Sequence, residues 1–376
     1  MIFNSLALFN FKNFESAKLD FDSGINCIVG KNGVGKTNIL DALHYLSLGK
    51  SAINPIDTAN INYNQPSFYI KSKLLRASSP HEVLCTVQIG KKKSLKVNKK
   101  DYDKLSEHIG FIPVVMISPN DTSLINDGNE ARRKFFDSTI SQLDRPYLHN
   151  LVRYQKALKQ RNSLLKHFNI TMNIDKAQLE PFNHELLSLG KEIYQTRKNF
   201  LQKFENRFDK LYKKLSQEHE FVEVVYESSY QNDDIEEKFH QALKRDLALQ
   251  RTTVGIHRDA YHFNIEGKPI KRFGSQGQQK SLIVALKISQ FEALKKATKI
   301  TPALLLDDIF DKLDDQRMSI LLNMVCEKSF GQIFITDARP ERTMDMLAEN
   351  KLNARIFTID DGLIGNVEDY EPKKKK

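Results

Sequence analysis

An α/β fold interrupted by a helical insertion is predicted by three observations. The apolar run Ile25-Asn26-Cys27-Ile28-Val29 ends on a glycine-rich loop that opens a helical pattern, so a buried strand, a turn and a helix follow directly. Between about residues 130 and 250 apolar positions recur in alternating three- and four-residue steps, the spacing of long amphipathic helices. Short apolar strands then return, at Ala303–Leu306 and Gln332–Thr336 among others.

In chain order, Leu6, Leu8, Phe9 and Phe11, then Leu19 and Phe21, alternate with polar residues and predict strands that feed the buried strand at Ile25. From Thr37 the positions Ile39, Leu40, Leu43, Tyr45, Leu46 and Leu48 lie at helical spacing, and Gly49 stops them. Phe68 to Asn98 reads as further strands with a turn at Gly90-Lys91, and Pro113–Ile117 as a short buried strand ended by Ser118-Pro119. In the insertion, Tyr147, Leu151, Tyr154, Leu158, Leu165 and Phe168 form one seam, broken only by Arg161. Phe182, Leu186, Leu189, Ile193, Phe200, Phe204, Phe208, Leu211 and Leu215 form a second, and the polar segment 169–176 supplies the turn of an antiparallel hairpin. Beyond it come a strand and hairpin over 253–270, a helix from Ser275 to about Lys296, and a last strand at Arg355–Ile359. The expected division is residues 1–125 and 251–370 as two parts of one head, 126–250 as a helical arm, and 371–376 as a disordered basic tail.

With 376 residues, 40% hydrophobic and 28% charged, the chain has enough apolar material for one large core or two modest ones. Lysine and arginine outnumber the acids 57 to 47, a surplus of +10 that makes a polyanionic partner plausible. Cys27, Cys85 and Cys326 are far apart, which excludes a disulfide framework and a CxxC metal site. Apolar runs fall far short of the ~20 residues of a membrane span. Met1–Ser5 has no basic lead-in to an apolar core, so no signal peptide and a cytoplasmic location are expected.

Three motifs carry chemistry. Gly30-Lys31-Asn32-Gly33-Val34-Gly35-Lys36-Thr37 fits GxxxxGK[ST], between a buried strand and a helix N-terminus as a phosphate-binding loop requires. Lys36 would reach the β and γ phosphates of ATP, and the Thr37 hydroxyl would ligate Mg²⁺. Leu304-Leu305-Leu306 ends in Asp307-Asp308. Asp307 is the candidate metal residue, and Asp308 the candidate catalytic group that orients or deprotonates the attacking water.

Phe273-Gly274-Ser275-Gln276-Gly277-Gln278-Gln279-Lys280 is similar to the ABC-ATPase signature, in which a serine and a glycine at a helix N-terminus bind the γ-phosphate. In that class one subunit's signature completes the other's nucleotide site. The resemblance therefore makes Ser275, Gln276, Gly277 and Gln278 candidates for action in trans, and Phe310–Asp314 a D-loop with Asp314 at the same interface. Together with Asn10-Phe11-Lys12-Asn13-Phe14, Ala131–Asp137, Tyr154 through Asn162 and Gly255–Asp259, these motifs resemble the RecF family end to end. That family comprises bacterial recombinational-repair ATPases related to chromosome-maintenance heads. The resemblance implies an ABC-type P-loop ATPase head with a short coiled-coil-like arm, forming an ATP-dependent homodimer on duplex DNA. It further implies action with RecR and RecO at single-strand gaps to help load RecA.

The chain departs from the family pattern at Ile256, Ala260 and Asn120, offers no clear Q-loop glutamine, and lacks the switch histidine after Phe334-Ile335-Thr336-Asp337. The role of Asp259 therefore stays open, between a site residue and a structural turn. Aspartate at 308, where most ABC ATPases use glutamate, shortens the reach by one methylene and predicts slow turnover. The alternative is a structural chromosome-maintenance head, but two helices of roughly 25 to 35 residues give an arm of only about 40 to 50 Å. DNA would be read through its backbone, with Lys91, Lys92, Lys93, Lys96, Lys99 and Lys100 along one hairpin as candidates. Arg145, Arg153, Lys156, Lys159, Arg161 and Lys166 on the first arm helix are the other candidates.

Overall fold

The computed structural model describes residues 1–171, 173–216, 220–308 and 330–372. The D-loop candidate Phe310–Asp314 and tail residues 373–376 lie outside them. Along the chain the elements are β1 (Ile2–Phe11), β2 (Phe14–Asp20), β3 (Ile25–Val29), α1 (Lys36–Leu48), β4 (Ser67–Arg76), β5 (Ser79–Gln88), β6 (Ser94–Val97), β7 (Lys100–Asp101) and β8 (Val114–Ile117). Then follow α2 (Asn129–Leu143), α3 (Arg145–Thr171), α4 (Glu180–Ser216), β9 (Val222–Glu227), α5 (Ile235–Gln241), α6 (Leu243–Leu249), β10 (Ala260–Ile265) and β11 (Lys268–Pro269). The last are α7 (Gln276–Thr298), β12 (Ala303–Leu306), β13 (Ile333–Asp337), α8 (Pro340–Glu349), β14 (Ala354–Asp360) and β15 (Leu363–Tyr370). Among the described residues no helix is long and apolar enough to cross a membrane.

The chain divides into two units, Met1–Thr122 with Gln276–Lys376, and Ser123–Ser275. Residues 251–275, expected in the head, thus fall in the second unit. In the first unit an antiparallel sheet, β2-β1-β4-β5-β6-β7, accompanies a second sheet ordered β15-β14-β3-β13-β12-β8. Strand β3 is buried at all five positions, with parallel neighbours β13 and β14 on either side, which explains its nearly unbroken apolar run. Leu6, Leu8 and Phe11 of β1 share one core with Ile39, Leu43 and Leu46 of α1 and with Phe334 and Phe357. The buried Gln332 amide binds the two sheets, donating to the carbonyls of Phe3 and Asp22 and accepting from the Phe3 N–H.

The second unit is not purely helical, contrary to the expected arm. It carries a three-stranded sheet, β11-β10-β9, whose strand β9 was hidden in a region of helical period. Helices α3 and α4 are antiparallel, as shown by the side-chain pairs Tyr147 with Arg197, Asn150 with Glu192 and Arg153 with Glu185. The first seam is as read from the sequence except at two places. Ala157 is the buried residue beside the partly buried Leu158, and Arg161 does not break the seam but is buried in it. Its guanidinium donates to Asn183, Asp246 and Thr252 at 2.7–2.8 Å and lies over the Phe239 ring. Arg161 is therefore no DNA candidate.

A second buried arginine settles Asp259. Arg197 on α4 donates to both carboxylate oxygens of Asp137 at 2.9 and 3.0 Å, to Asp259 at 2.8 Å and to the Ile256 carbonyl at 2.9 Å. Tyr226 also donates to Asp259. Within this unit Asp259 is a structural counter-ion. Next to it His257 donates through Nε2 to the Thr252 carbonyl and accepts through Nδ1 from the Tyr154 hydroxyl, so the ring is neutral.

Burial pulls the His257 imidazole down from 6.5 to about 4. The unfolded chain takes up a proton where the folded one does not, so stability is whole above pH 6.5 and falls as pH drops toward 4. One such site costs about 3 kcal/mol over that window. His44 and His108, also pulled down to about 4, add to the slope. The difference between the native chain and His257→Gln in urea unfolding at pH 7, 6 and 5 therefore isolates this residue. A shallower pH dependence is expected in the variant, and identical slopes would contradict the neutral buried ring.

Candidate functional site

Strand β3 delivers the loop 30–35 to the start of α1. Gly30 has φ 152°, and a Cβ there would lie 2.3 Å from the Ile359 carbonyl oxygen. Gly35 is the left-handed N-cap of α1 at φ 111°, where a Cβ would stand 2.5 Å from Asn13 Nδ2. Any larger residue would break the cradle at both positions. The helix start has no side-chain cap and no acid in its first turn, which leaves N–H groups and a positive dipole end for an anion. Lys36 is buried and donates to the carbonyls of Gly30 and Lys31, both at 2.9 Å, folding its ammonium across the loop.

Three strand ends converge on this loop. Thr37 Oγ1 on α1 donates to Asp307 Oδ1 at 2.8 Å, just past β12. Thr336 Oγ1 on β13 donates to the same oxygen at 2.8 Å, and accepts the Asp308 N–H at 2.9 Å. The Asp307 N–H is held by the Ile117 carbonyl at the end of β8. Burial pushes the Asp307 carboxyl above its ordinary range, with the Thr37 and Thr336 hydroxyls opposing the rise. A buried carboxylate and a hydroxyl, both hard oxygen donors, fit Mg²⁺. Asp308 has φ 43°, a left-handed turn that swings the chain off the strand end. It lines a cavity of about 360 Å³ with Asn32, Gly33, Gly35, Lys36, Thr37, Asn38 and Pro119.

Two residues of the site carried no assignment from the sequence. Asn13 donates to the Val34 carbonyl at 2.8 Å and accepts from Asn38 at 2.7 Å, so it braces the loop from the antiparallel sheet. Thr336 ties Asp307 to Asp308 from β13, the strand that lacks the switch histidine. The Asn13 signal was present in Asn10–Phe14, and that of Thr336 in a polar residue near a buried strand's end.

Of the signature candidates, Ser275 and Gln276 are exposed at the start of the 23-residue helix α7, with Gly277 and Gln278 in its first turn. Gln276, Gly277 and Gln278 are not among the residues lining the phosphate-loop cavity. The lysine cluster is split. Lys91 and Lys92 are exposed at one end of β6, and Lys99 and Lys100 at the other. Lys93 folds inward onto the Gly49 carbonyl at 2.6 Å and Asp57 at 2.7 Å, over the Tyr45 ring, and Lys96 pairs with Asp101 at 3.0 Å. Lys93 therefore drops out of any DNA face. On α3, Arg145, Lys156, Lys159 and Lys166 are exposed, while Arg153 pairs with Glu185 at 2.8 Å.

The family model described as RecF/RecN/SMC N terminal domain matches residues 2–363. The chain belongs to the RecF family. The DNA replication and repair protein RecF of Flavobacterium johnsoniae is 47% identical over 359 residues, covering 96% of this chain and 100% of that protein. Its counterpart in Cytophaga hutchinsonii is 42% identical over 364 residues, 97% of this chain and 96% of that protein. Among solved structures, the recombination mediator protein RecF-ATP of the RecFOR pathway is similar with a TM-score of 0.88 at 29% identity, over 98% of this chain and 97% of that one. The Smc head domain of Pyrococcus furiosus shares the fold alone, with a TM-score of 0.56 at 17% identity over 98% of this RecF-family chain and 96% of that one. The ABC-type ATPase head expected from the motifs is thus the fold of the chain.

Proposed function

We propose that this RecF-family chain is an ATP-switched DNA clamp of recombinational repair and replication-fork maintenance. It binds ATP with Mg²⁺, closes as a homodimer on duplex DNA at single-strand gaps, hydrolyses ATP slowly and acts with RecO and RecR to help load RecA in the cytoplasm. One observation carries the reading: Thr37 and Asp307, 270 residues apart, share a 2.8 Å hydrogen bond beside a cavity that Asp308 lines. Family membership and the RecFOR relatives support the pathway assignment.

Residues 30–37 hold the phosphates through backbone N–H groups, and Lys36 turns from the loop carbonyls to the β and γ oxygens. Thr37 and Asp307 would hold Mg²⁺, which when bound neutralises charge on the phosphate oxygens. Asp308 accepts a proton from the attacking water or orients it, and Thr336 fixes its backbone. Ser275, Gln276, Gly277 and Gln278 meet the partner's γ-phosphate, so nucleotide joins two heads. Phosphate contacts on DNA fall to Lys91, Lys92, Lys99 and Lys100 on the sheet and to Arg145, Lys156, Lys159 and Lys166 on α3.

Asp308→Asn is the test within the site. It keeps the neighbour Asp307 and its hydroxyl partners, so ATP affinity should stay within about twofold while hydrolysis slows by about 10²-fold or more. Single-turnover hydrolysis beside equilibrium nucleotide binding measures both. An unchanged rate would remove Asp308 from the chemistry.

A further inference from the structure

Helix α7 opens on the signature candidates and runs on through the first unit. From Ser281 to Phe291 every residue but one is buried, and that one, Lys287, is also the only charged residue of the stretch. Its side chain is itself only 13% exposed. The ammonium donates to the Met116 carbonyl on β8 at 2.8 Å and pairs with Asp121 at 2.6 Å. A methionine of similar length would fill that space without taking an ammonium out of water, so packing alone does not account for a lysine there.

Asp121 holds more than the lysine. Oδ1 faces Lys287, while Oδ2 accepts the Ser118 N–H at 2.7 Å. The Asp121 N–H returns to the Ser118 carbonyl at 3.1 Å, and Thr122 Oγ1 donates to the Pro119 carbonyl at 3.0 Å, so residues 118–122 form one braced turn. That turn is a wall of the nucleotide cavity, which Pro119 lines together with Lys36, Thr37 and Asp308. It follows directly on Ile117, whose carbonyl holds the Asp307 N–H. Lys287 is not among the lining residues, yet it ties this wall to a helix whose first turn, at Gln276, lies about 16 Å away at 1.5 Å per residue.

On the reading that the start of α7 meets a partner's nucleotide, we propose that Lys287 is a positioning residue coupling the cavity wall to that start. A nucleotide in the cavity shifts the 118–122 turn, and the Lys287–Asp121 pair passes the shift along α7 to Gln276–Gln278. Coupling of this kind is reciprocal, so pairing of heads tightens ATP by the same factor by which ATP favours pairing. Without the ion pair, each head still binds ATP in its own cradle, but the start of α7 no longer responds.

The test uses the full chain carrying Lys287→Met, Asp121→Asn, both together, or Lys287→Arg. ATP affinity is measured on chains too dilute to pair, and ATP-dependent pairing by sedimentation at rising chain concentration. Lys287→Met should bind ATP within about twofold of the native chain and pair at least about tenfold more weakly. Asp121→Asn should do the same, the double variant should be no worse than either, and Lys287→Arg, which keeps the charge, should restore most of the pairing. Should Lys287→Met fail to fold, the nearly isosteric Asp121→Asn carries the test. Native-like pairing in either folded variant, ATP affinity that falls as far as pairing does, or additive losses in the double variant would overturn the role of Lys287 alone. A native chain that binds ATP without pairing would overturn the two-head reading and the role of Lys287 with it.

Discussion

Replacing Lys36 by methionine is expected to reduce ATP affinity by at least about 100-fold and to remove hydrolysis with it. The ammonium is the one buried cation within the cradle, and each charge-assisted bond it makes to a phosphate is worth about 1.5–3 kcal/mol. Methionine keeps the length of the stem, so packing against the loop survives and the loss reports the charge. The carbonyls of Gly30 and Lys31 lose their shared donor as well, which loosens the loop before any nucleotide arrives. Titration with a fluorescent ATP analogue measures the effect. Affinity within a few-fold of the native chain would contradict the phosphate-loop assignment.

Arg197→Met is expected to cost about 3–5 kcal/mol of stability in the second unit, a large share of the 5–15 kcal/mol typical of a domain. The substitution strands two acids, Asp137 and Asp259, that the native guanidinium bonds at 2.8–3.0 Å, and it frees the Ile256 carbonyl. Tyr147 and Tyr226 donate to these carboxylates but bring no charge. Because the chain has no tryptophan, urea unfolding is followed by far-ultraviolet circular dichroism. A loss below about 1 kcal/mol would mean that the network is solvated rather than dry.

The parts of the site legible in the sequence were those whose chemistry is local. Gly30–Thr37 announces its turn, its dipole end and its lysine within eight residues, and the three leucines before Asp307 show a buried strand by composition alone. Thr336 was not legible, because its role depends on β13 lying parallel to β12 in a register that brings Thr336 to Asp307. Asn13 was hidden for the same reason, acting across 21 residues on Val34. The helical insertion misled in two ways. The alternation of Val222–Glu227 is a strand's period of two, too short to stand out beside 64 helical residues of α3 and α4. Arg161 looked like surface charge on a helix and Arg197 carried no reading, since nothing local reveals that Asp246 and Asp259 arrive to pair with them. Lys93 is the same lesson on the sheet: a lysine run gives the charge, while only the fold says that one member turns inward to Asp57.

The central claim is that nucleotide held by one head is completed by Ser275 of another. Sedimentation velocity with ATP and Mg²⁺ tests it most directly, on the native chain, on Ser275→Arg, on Lys36→Met and on a mixture of the two variants. The native chain should dimerise only with nucleotide, and each variant alone should stay monomeric, Ser275→Arg while still binding ATP. In the mixture one composite site carries both lesions and the other carries neither, so a nucleotide-dependent heterodimer should reappear. Ser275→Arg chains that dimerise as the native chain does, with no gain on mixing, would contradict the claim and leave Ser275 as no more than the residue before a helix.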